Sequence, residues 1–173
     1  MSLFCGTGFF CKNFKELSIN KSNKQIGAKF ERQTQEFFKS KGIILELHKK
    51  IEIGYSAKIV KKHEFDLGND EILVECKSSS WTKEDHVPSA KITNWNCAMY
   101  YFHLASKKIK KYFVVKKYCS KKRNNMTLLD FYLEYKSQFI PTDVILIELD
   151  ENLNARIFAF DGNKFSESKN YKF

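Results

Sequence analysis

Several things are scarce in this 173-residue chain, and each scarcity narrows what it can be. Two prolines and seven glycines are spread over the whole length, with no low-complexity linker and no internal repeat. No run of about 18 apolar residues occurs, so no membrane-spanning helix is expected. The first ten residues are apolar, but they lack a basic leading region and are broken by Gly6 and Gly8, which argues against a secretory signal. Cysteine is limited to Cys5, Cys11, Cys76, Cys97 and Cys119, an odd set without CxxC spacing. Neither a disulfide framework nor a zinc-ligand set is suggested, and a reducing cytoplasm is the expected location. Cys76 and Cys97 fall at apolar positions and read as small packed hydrophobes.

Apolar side chains and positive charge are both plentiful. Hydrophobic residues make up 43% of the chain and aromatics 15%, enough to bury one substantial core. Residues 21–161 are expected to form a single domain, with an N-terminal arm over 1–20 and a polar tail over 162–173. The arm reads equally as a docking segment, an extra strand or a tail. Thirty Lys and Arg against twenty Asp and Glu leave a formal net charge of +10. That surplus favours a polyanionic partner such as nucleic acid or an anionic membrane surface, and is also compatible with a merely lysine-rich surface.

The apolar periodicity alternates between helix and strand. Ser22–Gln25 has capping-box spacing, and Ile26, Phe30, Phe37 and Phe38 then recur with helical period until Lys41-Gly42, which predicts a helix over 24–41. Residues 43–53, 57–67 and 72–77 are rich in β-branched and apolar side chains and read as three consecutive antiparallel strands. Pro88, followed by Ile92, Trp95, Met99 and Phe102, predicts a helix to about residue 105, and 112–115 a short buried strand. Thr127 is placed to cap a helix carrying Leu129, Tyr132, Leu133 and Phe139, which Pro141 ends. Residues 144–149 and 156–160 would form a last hairpin. The order αβββαβ, then a helix and a hairpin, predicts an α/β fold with a mixed central sheet flanked by helices.

One stretch carries chemistry. From His63 to Lys77 the chain places Asp66, a turn, and then Glu75-Cys76-Lys77 on an apolar strand. Strand alternation puts Leu73, Glu75 and Lys77 on one face and Ile72, Val74 and Cys76 on the other. With a loop of even length, Asp66 lands on the face of Glu75, and it lies opposite Leu73 if the loop is Asn69-Asp70. Burying such charges without partners is costly, so the cluster points to a divalent cation or an anionic substrate. Asp66 and Glu75 suit Mg²⁺, which takes one or two carboxylates and keeps several waters. Lys77 would hold or deprotonate an attacking water, provided that its pKa is lowered. Glu-x-Lys by itself also describes a solvated surface pair. His63, on the strand face opposite Asp66, reads as a packed or hydrogen-bonded core histidine, and His86 as a solvated loop residue.

On these residues the chain resembles the PD-(D/E)xK nuclease superfamily, the restriction-endonuclease-like fold, over roughly residues 24–105. The first motif reads Phe65-Asp66, without the proline, and the second Glu75-Cys76-Lys77, while Gly27-Ala28-Lys29-Phe30-Glu31 looks like the GxxxE element of resolvase and restriction-type members. The resemblance implies Mg²⁺-dependent endonucleolytic cleavage of DNA, with Mn²⁺ able to substitute. It also implies that Asp66, Glu75 and the Cys76 backbone carbonyl are metal ligands, Lys77 the water-activating residue and Glu31 an outer carboxylate. Ser78 and Trp81 follow the second motif as candidate DNA contacts, and Trp81 would either stack on a base or anchor its own loop. Lys91 and Asn94 would face the scissile phosphate or form a solvated helix face. Lys121, Lys122 and Arg123 would contact the phosphate backbone or form a free basic loop. A homodimer would account for cutting both strands. The rival readings are a module on the same fold that binds nucleic acid without cutting it, and a structural or interaction protein.

Overall fold

The computed structural model describes residues 10–173 apart from Ala57, with residues 10–22 described as backbone only. The helix predicted to begin at residue 24 starts much earlier, and α1 spans Phe10–Ser40. Nothing between Phe10 and Ser22 stops a helix, because that stretch holds neither proline nor glycine. Residues 10–20 of the expected arm therefore belong to α1, and residues 1–9 lie outside the described residues. The far end of α1 stops where predicted. Gly42 takes φ +77°, its N–H donates to the Lys39 carbonyl, and the Ile43 N–H reaches back to the Phe38 carbonyl, which is a Schellman closure.

A long antiparallel pair follows, β1 (Glu46–Ser56) with β2 (Ile59–Gly68), and then β3 (Ile72–Lys77). The first strand thus starts three residues later than the 43–53 prediction, because Ile43 is taken up by the helix closure. The helix α2 (Ser89–Leu104) leads to β4 (Lys110–Lys116). A two-residue ladder, β5 (Cys119–Ser120) with β6 (Met126–Thr127), holds a basic 3-10 turn at Lys121–Arg123. Next come α3 (Leu128–Lys136), β7 (Val144–Leu149), β8 (Ala155–Phe160) and β9 (Phe165–Glu167). Thr127 caps α3 through a capping box with Asp130, as its position predicts.

The main sheet is mixed and seven-stranded, in the order β1-β2-β3-β4-β7-β8-β9. Strands β3, β4 and β7 run parallel, and the flanking pairs are antiparallel. Helix α1 covers one face with Phe30, Phe37 and Phe38 against Val74, Cys76, Tyr112 and Val114. Helices α2 and α3 cover the other with Trp95, Met99, Phe102, Leu129 and Tyr132 against Leu73, Phe113, Val115 and Leu146. Every position of the helical stripe read at Ile92, Trp95, Met99 and Phe102 is buried. Cys76 is buried as expected, whereas Cys97 is exposed on α2.

The residues expected as a polar tail are part of the fold. After β9, Phe173 packs edge-on against Phe37 and Phe38, with ring centroids 5.6 and 5.8 Å away, and Tyr171 meets the Tyr112 hydroxyl at 3.2 Å. Two aromatics within the last three residues are too few to show a local period, so only the tertiary contact reveals them. No helix among the described residues is long and apolar enough to cross a membrane.

Candidate active site

The turn between β2 and β3 sets the register that matters. It is Asp70-Glu71, one residue later than expected: the Asn69 N–H donates to the Ile72 carbonyl, and Asn69 Oδ1 accepts from the Glu71 and Ile72 amides. Gly68, not Asp66, therefore lies opposite Leu73, and Leu67 opposite Val74. The register moves by two residues, so the parity of the strand faces is kept. Continuing it brings Asp66 level with Glu75.

The ladder ends at Leu67, and the alternation along β2 breaks there. Phe65 packs into the cluster under α2, while Leu67 packs into the one under α1. Between them Asp66 fills the gap that opens as β2 leaves β3. Its Oδ2 accepts the Cys76 N–H at 2.7 Å, the place that a backbone carbonyl would take in a continuous ladder. Glu75, 6% exposed, points to the α2 side. Lys77 Nζ lies between the two acids, 2.6 Å from Glu75 Oε2 and 3.8 Å from Asp66 Oδ2. The three groups predicted to converge are thus within one side-chain cluster at the carboxyl end of β3, where parallel strands commonly present their sites.

The electrostatics split the two acids. Burial, then repulsion from Glu75, pushes the Asp66 carboxyl up to about 7, against the pull of Lys77 and the Cys76 amide. Burial also works against ionised Glu75, but His63 and Lys77 outweigh it and hold its pKa below the usual range. For Lys77, burial favours the neutral amine, yet Glu75 and Asp66 prevail and raise its pKa. Glu31, half-buried on α1, adds its negative field to Asp66 without a direct contact.

His63, which strand parity places on the face opposite Asp66, is a neighbour of this cluster. It does pack, stacked on Tyr101 at 3.9 Å and edge-on to Phe65 at 4.7 Å. Its Nε2 also stands 3.5 Å from Glu75 Oε1. No local signal marks this approach, because it depends on the bend of β2 at Asp66.

The expected nucleic-acid contacts lie farther out, and of the two readings of Trp81 the structure favours the loop anchor. Trp81 is buried, donates Nε1–H to the Tyr118 carbonyl at 3.2 Å, packs on Phe131, and carries the Arg123 guanidinium 5.0 Å over its ring. It is an anchor of its loop, with no face free for a base. Arg123 is pinned to it and donates to the Asp85 carbonyl at 3.1 Å, whereas Lys121 and Lys122 extend into solvent. Lys91 and Asn94 are exposed on α2, and Ser78 follows β3 half-buried. None of these three makes a hydrogen bond or ion pair with the acidic cluster among the described residues.

A cation would find two carboxylates here and no closed cage: among the described residues, no three His, Cys, Asp or Glu side chains gather as a metal site. Two carboxylates suffice for Mg²⁺, which typically keeps several waters. The Asp66 pKa is raised by burial first and by Glu75 second, with Lys77 acting against both. The donor set therefore fits a hydrated divalent ion. Comparison with protein families, with curated proteins and with solved structures finds no match to this chain.

Proposed function

We propose that this protein is a Mg²⁺-dependent endodeoxyribonuclease built on a restriction-endonuclease-like core, working in the cytoplasm. The observation that carries the reading is the convergence of Asp66, Glu75 and Lys77 in a gap between β2 and β3, with the ammonium 2.6 and 3.8 Å from the two acids. The order of helix, antiparallel strands, helix and parallel strand around that gap agrees with such a core.

In this reading Asp66 and Glu75 present oxygens to the cation, and the Cys76 N–H fixes Asp66 in the gap. When bound, Mg²⁺ supplies Lewis-acid polarisation of a phosphoryl oxygen and makes a water more acidic. Lys77 orients the attacking water and offsets charge that builds on the phosphoryl oxygens. Its raised pKa makes it a donor of hydrogen bonds in preference to a proton acceptor. The basic surplus, Lys121 and Lys122 included, suits the DNA backbone.

The test is incubation of the purified protein with supercoiled, linear and branched DNA, with Mg²⁺, Mn²⁺ or a chelator. Metal-dependent nicking that disappears in Glu75→Gln is the expected result. Salt-dependent binding without nicking would assign a module that binds nucleic acid but does not cut it. Neither binding nor nicking would overturn the reading.

A further inference from the structure

We propose that His63 is a positioning residue for Glu75, held in place by Tyr101, and that its Nε2–H fixes which carboxylate oxygen faces the cation. This rests on the proposed metal site.

The side-chain nitrogen carries the argument. Nε2 of His63 is buried and has no hydrogen-bond partner among the described residues. It stands 3.5 Å from Glu75 Oε1, while Oε2 of the same carboxylate is engaged by Lys77 at 2.6 Å. Buried ring nitrogens are rarely left unpaired, because each forfeits the hydrogen bond that water would have made. The ring has little room to turn away. Tyr101 stacks on it at an interplanar angle of 29°, and Phe65, itself stacked on Phe102, closes its edge. Strand and helix thus clamp the imidazole with Nε2 beside one oxygen of Glu75. Such outer partners set the orientation of ligating groups, and their removal typically weakens metal binding about 10–100-fold.

The experiment is calorimetric titration of the full chain with Mn²⁺ in the absence of DNA, with thermal melting measured on every variant. Unaltered protein is expected to bind Mn²⁺, and Glu75→Gln to lose it. Absence of binding by the unaltered protein would instead remove the metal site itself. His63→Leu should weaken binding about 10–100-fold at an unchanged melting temperature. His63→Gln, which retains a donor, should recover most of it. Normal Mn²⁺ affinity in His63→Leu, beside loss in Glu75→Gln, overturns the positioning role and leaves the metal site standing. Failure of Gln to restore binding at an unchanged melting temperature would make the imidazole a ligand, and also overturns it. Should His63→Leu not fold, Tyr101→Leu carries the test, since it removes the clamp but keeps the nitrogen. Unaltered Mn²⁺ affinity there refutes the proposal.

Discussion

Lys77 is the residue on which both stability and chemistry turn. It neutralises a buried Glu75 and a part-buried Asp66 at once, so removing it leaves two acids facing each other. Lys77→Ala should abolish DNA cleavage while leaving DNA affinity within a few-fold. It should also destabilise the fold at neutral pH by about 3 kcal/mol, as loss of one partner of a buried pair does. Plasmid nicking and urea denaturation check the two halves. A second buried ammonium has no part in the site: Lys111, 1% exposed, is paired with Asp143 at 2.6 Å. Asp143→Asn strands that charge and should cost about 3 kcal/mol, whereas Lys111→Met, which removes the charge and keeps the apolar stem, should be close to neutral. At this scale the sequence was informative about charge and poor about surroundings. Asp66, Glu75 and Lys77 were legible because they are close along the chain. For Trp81 the sequence left base stacking and loop anchoring both open, since its partners Tyr118, Arg123 and Phe131 are supplied by a distant loop and helix.

Elements begin and end for reasons that single substitutions can test. The Thr127–Asp130 capping box opens α3, and Arg156 on β8 ties Asp130 and Glu148 together, 2.9 Å from each. Burial would raise the Asp130 pKa, but Arg156 and the Thr127 contacts outweigh it and lower the pKa. A carboxyl lowered in the folded state binds protons more weakly there than in the unfolded chain. Its stabilisation is therefore complete above the ordinary range near about pH 4 and is lost as pH falls through the lower folded value. Asp130→Asn should flatten that acid limb of the stability–pH curve in urea titrations. Thr127→Ala should cost about 1 kcal/mol. In the β1–β2 hairpin the backbone of Gly54 approaches the Ile59 carbonyl so closely that a Cβ would collide with it. Gly54→Val should therefore lower the melting temperature. Most element cores and ends were readable, the stop at Gly42 included, but α3, expected to carry Phe139 and run to Pro141, ends at Lys136 and a 3-10 turn over Ser137–Phe139 follows. The start of α1 was not, because a helix without proline or glycine ahead of it carries no local reason to begin at residue 24.

For the whole molecule, charge is the testable property. The net charge of +10 includes the turn at Lys121–Arg123, whose two lysines are free in solvent while Arg123 is pinned over Trp81. Replacing all three with neutral residues should reduce the salt slope of duplex binding by up to about three charges at about 0.9 each. Fluorescence anisotropy across a salt series measures it, and an unchanged slope removes the turn from the interface.

By itself the sequence determined the alternation of helices and strands, the mixed sheet and the spacing of Asp66, Glu75 and Lys77, because those follow from periodicity and from residues near one another in the chain. Only the tertiary structure decided the rest. The exit of β2 from the ladder at Leu67 turns Asp66 into the gap and brings His63 to Glu75, and the closing aromatics Tyr171 and Phe173 find their places only against α1 and β4. Such contacts join segments far apart in sequence, and strand bending and side-chain packing, which local patterns do not encode, set them.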